Sequence, residues 1–395
     1  MTARILKLML WAAFAAGVLE LSARLFLFPQ YTAMLPDMYW QHPALGHYNK
    51  PNLAVRRFNP MNYDVINHTN SLGMRGREKD RERELAGVWI AGGSNTFGGF
   101  VSDDDVFAAG LKRYGIWAAN LASEGHSIAS QAAMLRVLAG EGYRPRSVVL
   151  VLSMYFAISD YSNDFSALTE PLAGSLSDAP VPIKTARQNL IAAMMDTREA
   201  LPADFQAIRA RLLRSSALYG WFKVGIMGVP VLRDWTLRSG LRNDLDFVQN
   251  FDLNLLRPLT DDNPGRRKIE STADYVVAVS KMVKETFDIP FGVLILPAHH
   301  QLHPESFARY VAHHGLTGQD LEPLRALTAL KMALENRDIP VLDTFPALRD
   351  SRTGRLTFPD DGHLTGGAHR IVARVLANWL KNEMVPGAPR VSVPR

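Results

Sequence analysis

Cysteine is absent from the 395-residue chain, which excludes disulfide bridges, thiolate metal sites and a cysteine nucleophile, and by itself says nothing about compartment. No run of lysine and arginine interleaved with aromatics occurs. The net charge of +5 is diluted over the whole length, so no surface for nucleic acid is expected. There is no internal repeat. The one glycine-rich turn that follows an apolar run has neither a Gly-Lys-Ser/Thr ending nor the Gly-x-Gly-x-x-Gly spacing, so a phosphate-cradling loop is not matched. What remains, 47% hydrophobic and 21% charged residues, is the balance of a globular chain with one large or two modest domains.

The N-terminus is the longest apolar segment. Residues Ile5 to Phe28 read ILKLMLWAAFAAGVLELSARLFLF, with an uncharged core from Leu8 to Leu19 of 12 residues. A core that short suits a secretory signal, but apolar character resumes at Leu21, so about 20 residues can cross a bilayer with Glu20 and Arg24 near one end. Three readings stand: an uncleaved anchor, a cleaved signal, and an amphipathic soluble helix. Poor small-x-small cleavage candidates favour the anchor. Arg4 and Lys7 then hold the N-terminus inside and turn the bulk of the chain outward, as a single-pass protein of the inner membrane facing the periplasm or exterior.

Residues 1–28 are thus read as anchor or signal, 29–85 as an extended arm rich in Pro, Asn and Arg, and 86–395 as one domain. In that domain five short apolar runs, AGVWIA, GIWAAN, SVVLVLS, FGVLILP and IPVLDTF, alternate with helical patterns. Continuous apolar strands between helices predict an α/β fold: a three-layer sandwich around a mostly parallel five-stranded sheet. The interval 154–264 breaks the rhythm and is too long for a structureless loop, which predicts an inserted helical cap. Its middle, FQAIRARLLRSSALYGWFKVGIMGVPVLRDWTLRSGLR, mixes arginine with Trp, Phe and Leu. It suits either a basic helix packed on the domain or a segment lying on a membrane surface.

Ser94 sits in GGSNTFGG, directly after the first strand, at the sheet edge where ligands of open α/β sheets bind. A serine nucleophile needs a base, and the base needs an orienting carboxylate. The C-terminal stretch FPDDGHLTGGAH offers Asp360 three residues before His363, with Asp361 as the alternative acid. A developing oxyanion needs donors: Gly125, in NLASEGHS, offers an unobstructed amide, and Asn163, in MYFAISDYSNDF, a side-chain amide. Taken alone, each of these glycines and asparagines also serves as an ordinary turn residue, and His369 as a surface or packing histidine. His299, His300 and His303 fall on the same edge. Pro304 interrupts a helical pairing and no carboxylate joins them before Glu305, so a substrate loop or polar turn is expected there rather than a metal.

Together these blocks resemble the SGNH, or GDSL-type, hydrolase superfamily in its membrane-anchored bacterial form. Gly92, Ser94, Thr96 and Gly98 match its nucleophile block, Asn120 and Gly125 its second block, and Asp360 and His363 its final Asp-x-x-His. Upstream, HPALGHYNKPN and NSLGMRGRE are similar to the arm of anchored members. The sequence departs from the pattern at Gly93, where the signature has aspartate, and in the third block, where SNDF and SDYS compete. The resemblance implies a flavodoxin-like sheet of SGNH type and catalysis by Ser94, His363 and Asp360, with Gly125 and Asn163 at the oxyanion. It implies no cofactor, and an acyl-ester or glycan substrate, so the implied activity is that of an esterase or O-acyltransferase on envelope or exported polysaccharide. A non-catalytic carbohydrate-binding or assembly protein on the same fold, and a lipid esterase, are the alternatives. Nothing in the sequence sets the oligomeric state.

Overall fold

The computed structural model describes residues 2–27, 38–59, 62–154, 252–313, 315–352, 354–358 and 362–384. It also describes Leu168, Leu176, residues 216–219, Phe222, Gly225, Val229, Val231, Leu232 and Trp235. Helix α1 (Thr2–Ser22) is followed by two hairpins, β1 (Tyr39–His42) with β2 (Gly46–Asn49), and β3 (Ala54–Asn59) with β4 (Tyr63–His68). Next come α2 (Arg81–Leu85), β5 (Val88–Ala91), α3 (Ser94–Phe97), α4 (Phe107–Gly110), β6 (Ala118–Asn120), α5 (Ile128–Gly140) and β7 (Ser147–Ser153). The chain then forms α6 (Leu253–Leu256), α7 (Pro264–Phe287), β8 (Phe291–Leu296), α8 (His299–Leu302) and α9 (Pro304–His313). It ends with α10 (Arg325–Glu335), β9 (Val341–Asp343), α11 (Phe345–Arg349) and α12 (Gly366–Trp379).

Each of the five apolar runs contains a strand, and together they make one sheet in the order β6-β5-β7-β8-β9, parallel at every pairing. Numbered by their order in the chain this is 2-1-3-4-5. The direction of winding therefore reverses between β5 and β7, and the crevice at the carboxyl ends of those two strands is where such sheets bind ligands.

The runs lack polar alternation because both faces are covered. Trp89 and Ala91 of β5, Val148, Leu150 and Leu152 of β7, and Val293 and Ile295 of β8 enter one core cluster with residues of α5, α7 and α10. Their neighbours Val88, Ile90, Val149, Val151, Leu294 and Leu296 enter a second cluster with α4 and α12. Side chains alternate across a strand with period two, so this division is what a three-layer arrangement requires.

Local chemistry sets the helix starts. The turn residues Asp261 and Asp262 lead to Asn263, whose side chain accepts the Gly265 amide at 2.7 Å, with Pro264 at the first helical position of α7. Ser127 caps α5 through the Ser130 amide, and Thr365 caps α12 through that of Ala368.

The chain divides into two compact units. One comprises Met1–Met38, Ala54–Ile66 and Asn189–Asn243, and the other Tyr39–Leu53, Asn67–Gln188 and Asp244–Arg395, which carries the sheet. In the first unit α1 and the turn after it supply a segment, Arg4–Leu25, of 22 residues, long and apolar enough to span a bilayer. Arg56 and Asp64 pair there across the β3–β4 hairpin through two bonds of 2.7 Å. Within the region read from sequence as an arm, the described residues include these two hairpins and helix α2.

Candidate active site

β5 runs into GGSNTFGG, and the turn is tight for a steric reason. A Cβ on Gly92 would stand 2.1 Å from Thr96 Oγ1, so only glycine lets the first turn of α3 fold back on the strand end. Thr96 and Phe97 amides both donate to the Gly93 carbonyl, at 3.0 and 2.9 Å, and Gly98 closes the helix at φ 67°, in the left-handed region. Ser94 is left half-buried at the helix start, beside the switch point.

Its neighbour Asn95 is buried and ties three parts of the chain together. The Asn95 side-chain amide donates to Ser153 Oγ at the end of β7, at 3.2 Å, and its oxygen accepts the Leu364 amide at 3.0 Å. Ser94 and His363 are thus the immediate chain neighbours of the two residues joined by one hydrogen bond. The loop carrying His363 is fixed further by the Phe358 amide on the His363 carbonyl at 2.9 Å, by the Thr357–Leu364 bridge, and by the Phe100 ring 4.5 Å from the imidazole.

The second block closes the other side. A Cβ on Gly93 would lie 3.6 Å from the His126 carbonyl, which brings the residue after Gly125 against the residue before Ser94. Gly125 is exposed, at φ 79°. Asn120 donates to the Thr96 carbonyl at 2.8 Å and accepts the Ala122 amide at 3.2 Å, linking the serine turn to the second loop.

That loop is in turn clasped by the β1–β2 hairpin. Asn49 donates to the Ala122 carbonyl at 3.0 Å, His47 to the Glu124 carbonyl at 2.5 Å, and Tyr39 to Glu124 Oε2 at 2.7 Å. His126 donates Nε2–H to the His47 carbonyl at 2.7 Å. Burial holds the His126 ring neutral, with its pKa lowered to about 3; the neighbouring His47 adds to the shift.

The structure therefore brings Ser94, His363 and Gly125 to adjoining turns at the carboxyl edge. Asp360, Asp361 and Asn163 lie outside the described residues. His369 is a packing histidine: it is 1% exposed, stacks on Phe107, and accepts the Phe107 amide on Nδ1 at 3.3 Å. His299 and His303 share the Thr357 hydroxyl, at 2.6 and 3.0 Å, after β8 and so two strands away from the serine turn. Among the described residues no three His, Asp or Glu side chains converge as a metal site.

Sequence reading missed Asn95 and Arg75. Arg75 lies in the NSLGMRGRE stretch, and its side chain, 2% exposed, is a strut beneath the serine turn. It pairs with Asp103 and donates to the carbonyls of Phe97 at 3.3 Å, Val101 at 3.0 Å and His68 at 3.3 Å. Arg75→Met should cost about 3–5 kcal/mol, because Asp103, left with His68 and the exposed Arg77, keeps a largely buried charge and three carbonyls lose a donor. Urea unfolding of the full chain in detergent checks this. Arg75→Met combined with Asp103→Asn should cost less than the sum of the two changes, and a single-variant loss below about 1 kcal/mol would make the pair a screened surface contact.

No protein-family model matches the sequence, and no curated protein is similar to it. One solved crystal structure is similar at a TM-score of 0.31 and 11% identity, over 76% of this chain and 100% of its own. A likeness at that level carries no argument.

Proposed function

We propose that this chain is a membrane-anchored serine esterase or O-acyltransferase of SGNH type, working on acyl esters of envelope or exported polysaccharide. The observation that carries the reading is the Asn95–Leu364 hydrogen bond, which sets Ser94 and His363 on either side of one contact at the switch point of the sheet. A 2-1-3-4-5 parallel sheet is the flavodoxin-like order and agrees with it. The apolar helix Arg4–Leu25 supports the anchor, and Arg4 and Lys7 at its start support an outward-facing site.

In this mechanism His363 takes the Ser94 hydroxyl proton as Oγ attacks the ester carbonyl, while Asp360 holds the ring tautomer and stabilises the imidazolium. The tetrahedral oxyanion is met by the amides of Ser94 and Gly125 and by Asn163. Collapse expels the alcohol, which receives the proton from His363. Water then releases the acyl group as a free acid, or a glycan hydroxyl accepts it as a new ester. The glycan itself rests on the anchored, outward-facing topology and on family likeness alone.

The test is a fluorophosphonate serine probe on the full chain in detergent, followed by peptide mapping. An adduct on Ser94 that His363→Ala abolishes is the expected result. A folded sample with no adduct would remove the covalent mechanism and put glycan binding without catalysis in its place.

A further inference from the structure

The unit that contains the spanning helix also contains an apolar surface that the catalytic reading does not use. Glu20, near the outer end of the Arg4–Leu25 segment, accepts four hydrogen bonds, one of them from Arg24 Nε at 2.8 Å. The other three come from a single point far along the chain: Ser216 Oγ at 2.8 Å, the Ala217 amide at 2.8 Å and the Leu218 amide at 2.9 Å. Residues Ala217 to Tyr219 are helical, so the carboxylate caps the start of that helical turn.

Two consequences follow. A carboxylate at the end of an apolar span is costly unless its oxygens are satisfied, and this cap supplies donors where water is scarce. The same cap fixes Ser216 to Leu218 of the insert beside the charged end of the span.

Beyond the cap, every described residue from Phe222 to Trp235 is exposed. Among them are Phe222 at 57%, Val229 at 45%, Val231 at 76%, Leu232 at 43% and Trp235 at 57%. In sequence Lys223 and Arg233 fall among these, with Asp234 beside Arg233. Large apolar side chains set among lysine and arginine, with tryptophan included, are the composition of a segment that lies in the bilayer interface. Continuity with the span selects lipid over a protein partner: the exposed set starts at Phe222, four residues after Leu218, whose amide is bonded to Glu20 of the spanning helix.

We infer that Phe222, Val231, Leu232 and Trp235 form a second membrane contact, seated in the outer interface of the bilayer that α1 crosses. The domain is then held to the membrane at two points, through α1 and through the insert. This rests on the anchor part of the proposed function and not on the catalytic part.

The absence of cysteine makes the test direct, because each single-cysteine variant carries one thiol. Phe222→Cys, Val231→Cys, Phe14→Cys and Lys281→Cys are each labelled with an environment-sensitive nitrobenzoxadiazole dye in the full chain. The labelled proteins are reconstituted in vesicles of phosphatidylethanolamine and phosphatidylglycerol. Phe14 reports the span, and Lys281, 75% exposed on α7, reports water. The expected result is a blue-shifted emission at 222 and 231, quenched several-fold more by doxyl-labelled lipid than by iodide, as at 14 and opposite to 281. Iodide quenching at 222 and 231 with lipid quenching at 14 would overturn the inference and leave the anchor standing. Labels at 222 and 231 shielded from both quenchers would overturn it in favour of a protein-covered face. Iodide quenching at 14 as well would remove the anchor and the inference together. None of these readouts depends on activity, so a failure of the catalytic reading is seen separately, in the probe labelling of Ser94.

Discussion

Replacing Ser94 with alanine should lower kcat on an activated acyl ester by on the order of 10⁶-fold, and His363→Ala should cost about as much. In the proposed mechanism the two act as one unit: without the base the hydroxyl is a weak nucleophile, and without the hydroxyl the base has no proton to take. The double variant should therefore be no slower than either single one, a grossly non-additive outcome that steady-state rates measure directly. Removing the acid should cost less, on the order of 10⁴-fold, since the ring can still accept a proton in the wrong orientation. Asp360→Ala and Asp361→Ala compared side by side assign that role, because only the true partner should show it. Variants that lose rate additively, or a Ser94→Ala protein that keeps its activity, would sink the triad.

The second large effect is acid sensitivity of the fold. His126, His300 and His369 are buried, and burial lowers each pKa to about 3; a second histidine adds to the shift at His126 and His300, and His363 and Arg75 add to it at His369. In the unfolded chain a histidine titrates near 6.5, so between about pH 6.5 and pH 3 the unfolded state binds up to three more protons than the folded one. Stability is then full above about pH 6.5, falls as pH drops through that window at up to about 4 kcal/mol per pH unit, and levels off below about pH 3. Geometry supports the neutral form at His369, whose Nδ1 must keep a lone pair to accept the Phe107 amide. Urea midpoints of the full chain between pH 7.5 and pH 5 measure the slope, and His369→Gln should lower it by about 1.4 kcal/mol per pH unit. An unchanged slope would mean that this ring protonates inside the folded protein.

The sheet was legible because its strands are buried on both faces and carry no polar alternation to obscure them. SVVLVLS and FGVLILP contain β7 and β8 almost residue for residue. Ser94 and His363 stand out in the sequence through local spacing: glycines around the serine, and a carboxylate three positions before the histidine. Asn95 was not legible. Its partners lie 58 and 269 residues away, and an asparagine in a glycine-rich turn looks like any other turn residue. The hairpins of the arm escaped for a different reason. YWQH and GHYN are short and polar at alternate positions, and their stability comes from Trp40 and Tyr48, each about 1% exposed, packed into a core contributed by distant segments. Arg75 reads as a charged loop residue until Asp103 and three carbonyls are seen around it.

The hydrogen bond between Asn95 and Leu364 also has a meaning in time. It joins residues 269 apart, and Asp105 and Arg370, 265 apart, pair nearby at 2.9 Å. On a ribosome adding about 5–20 residues per second, roughly 15–50 s separate the emergence of Ser94 from that of His363. One face of the sheet stays bare of α12 for the same interval, since Ile371, Val372 and Leu376 complete its core cluster. A nascent chain can thus build the serine turn while the loop that carries His363 is still unmade. On the proposed mechanism it becomes competent only when its last helix docks, so the serine has no base until then.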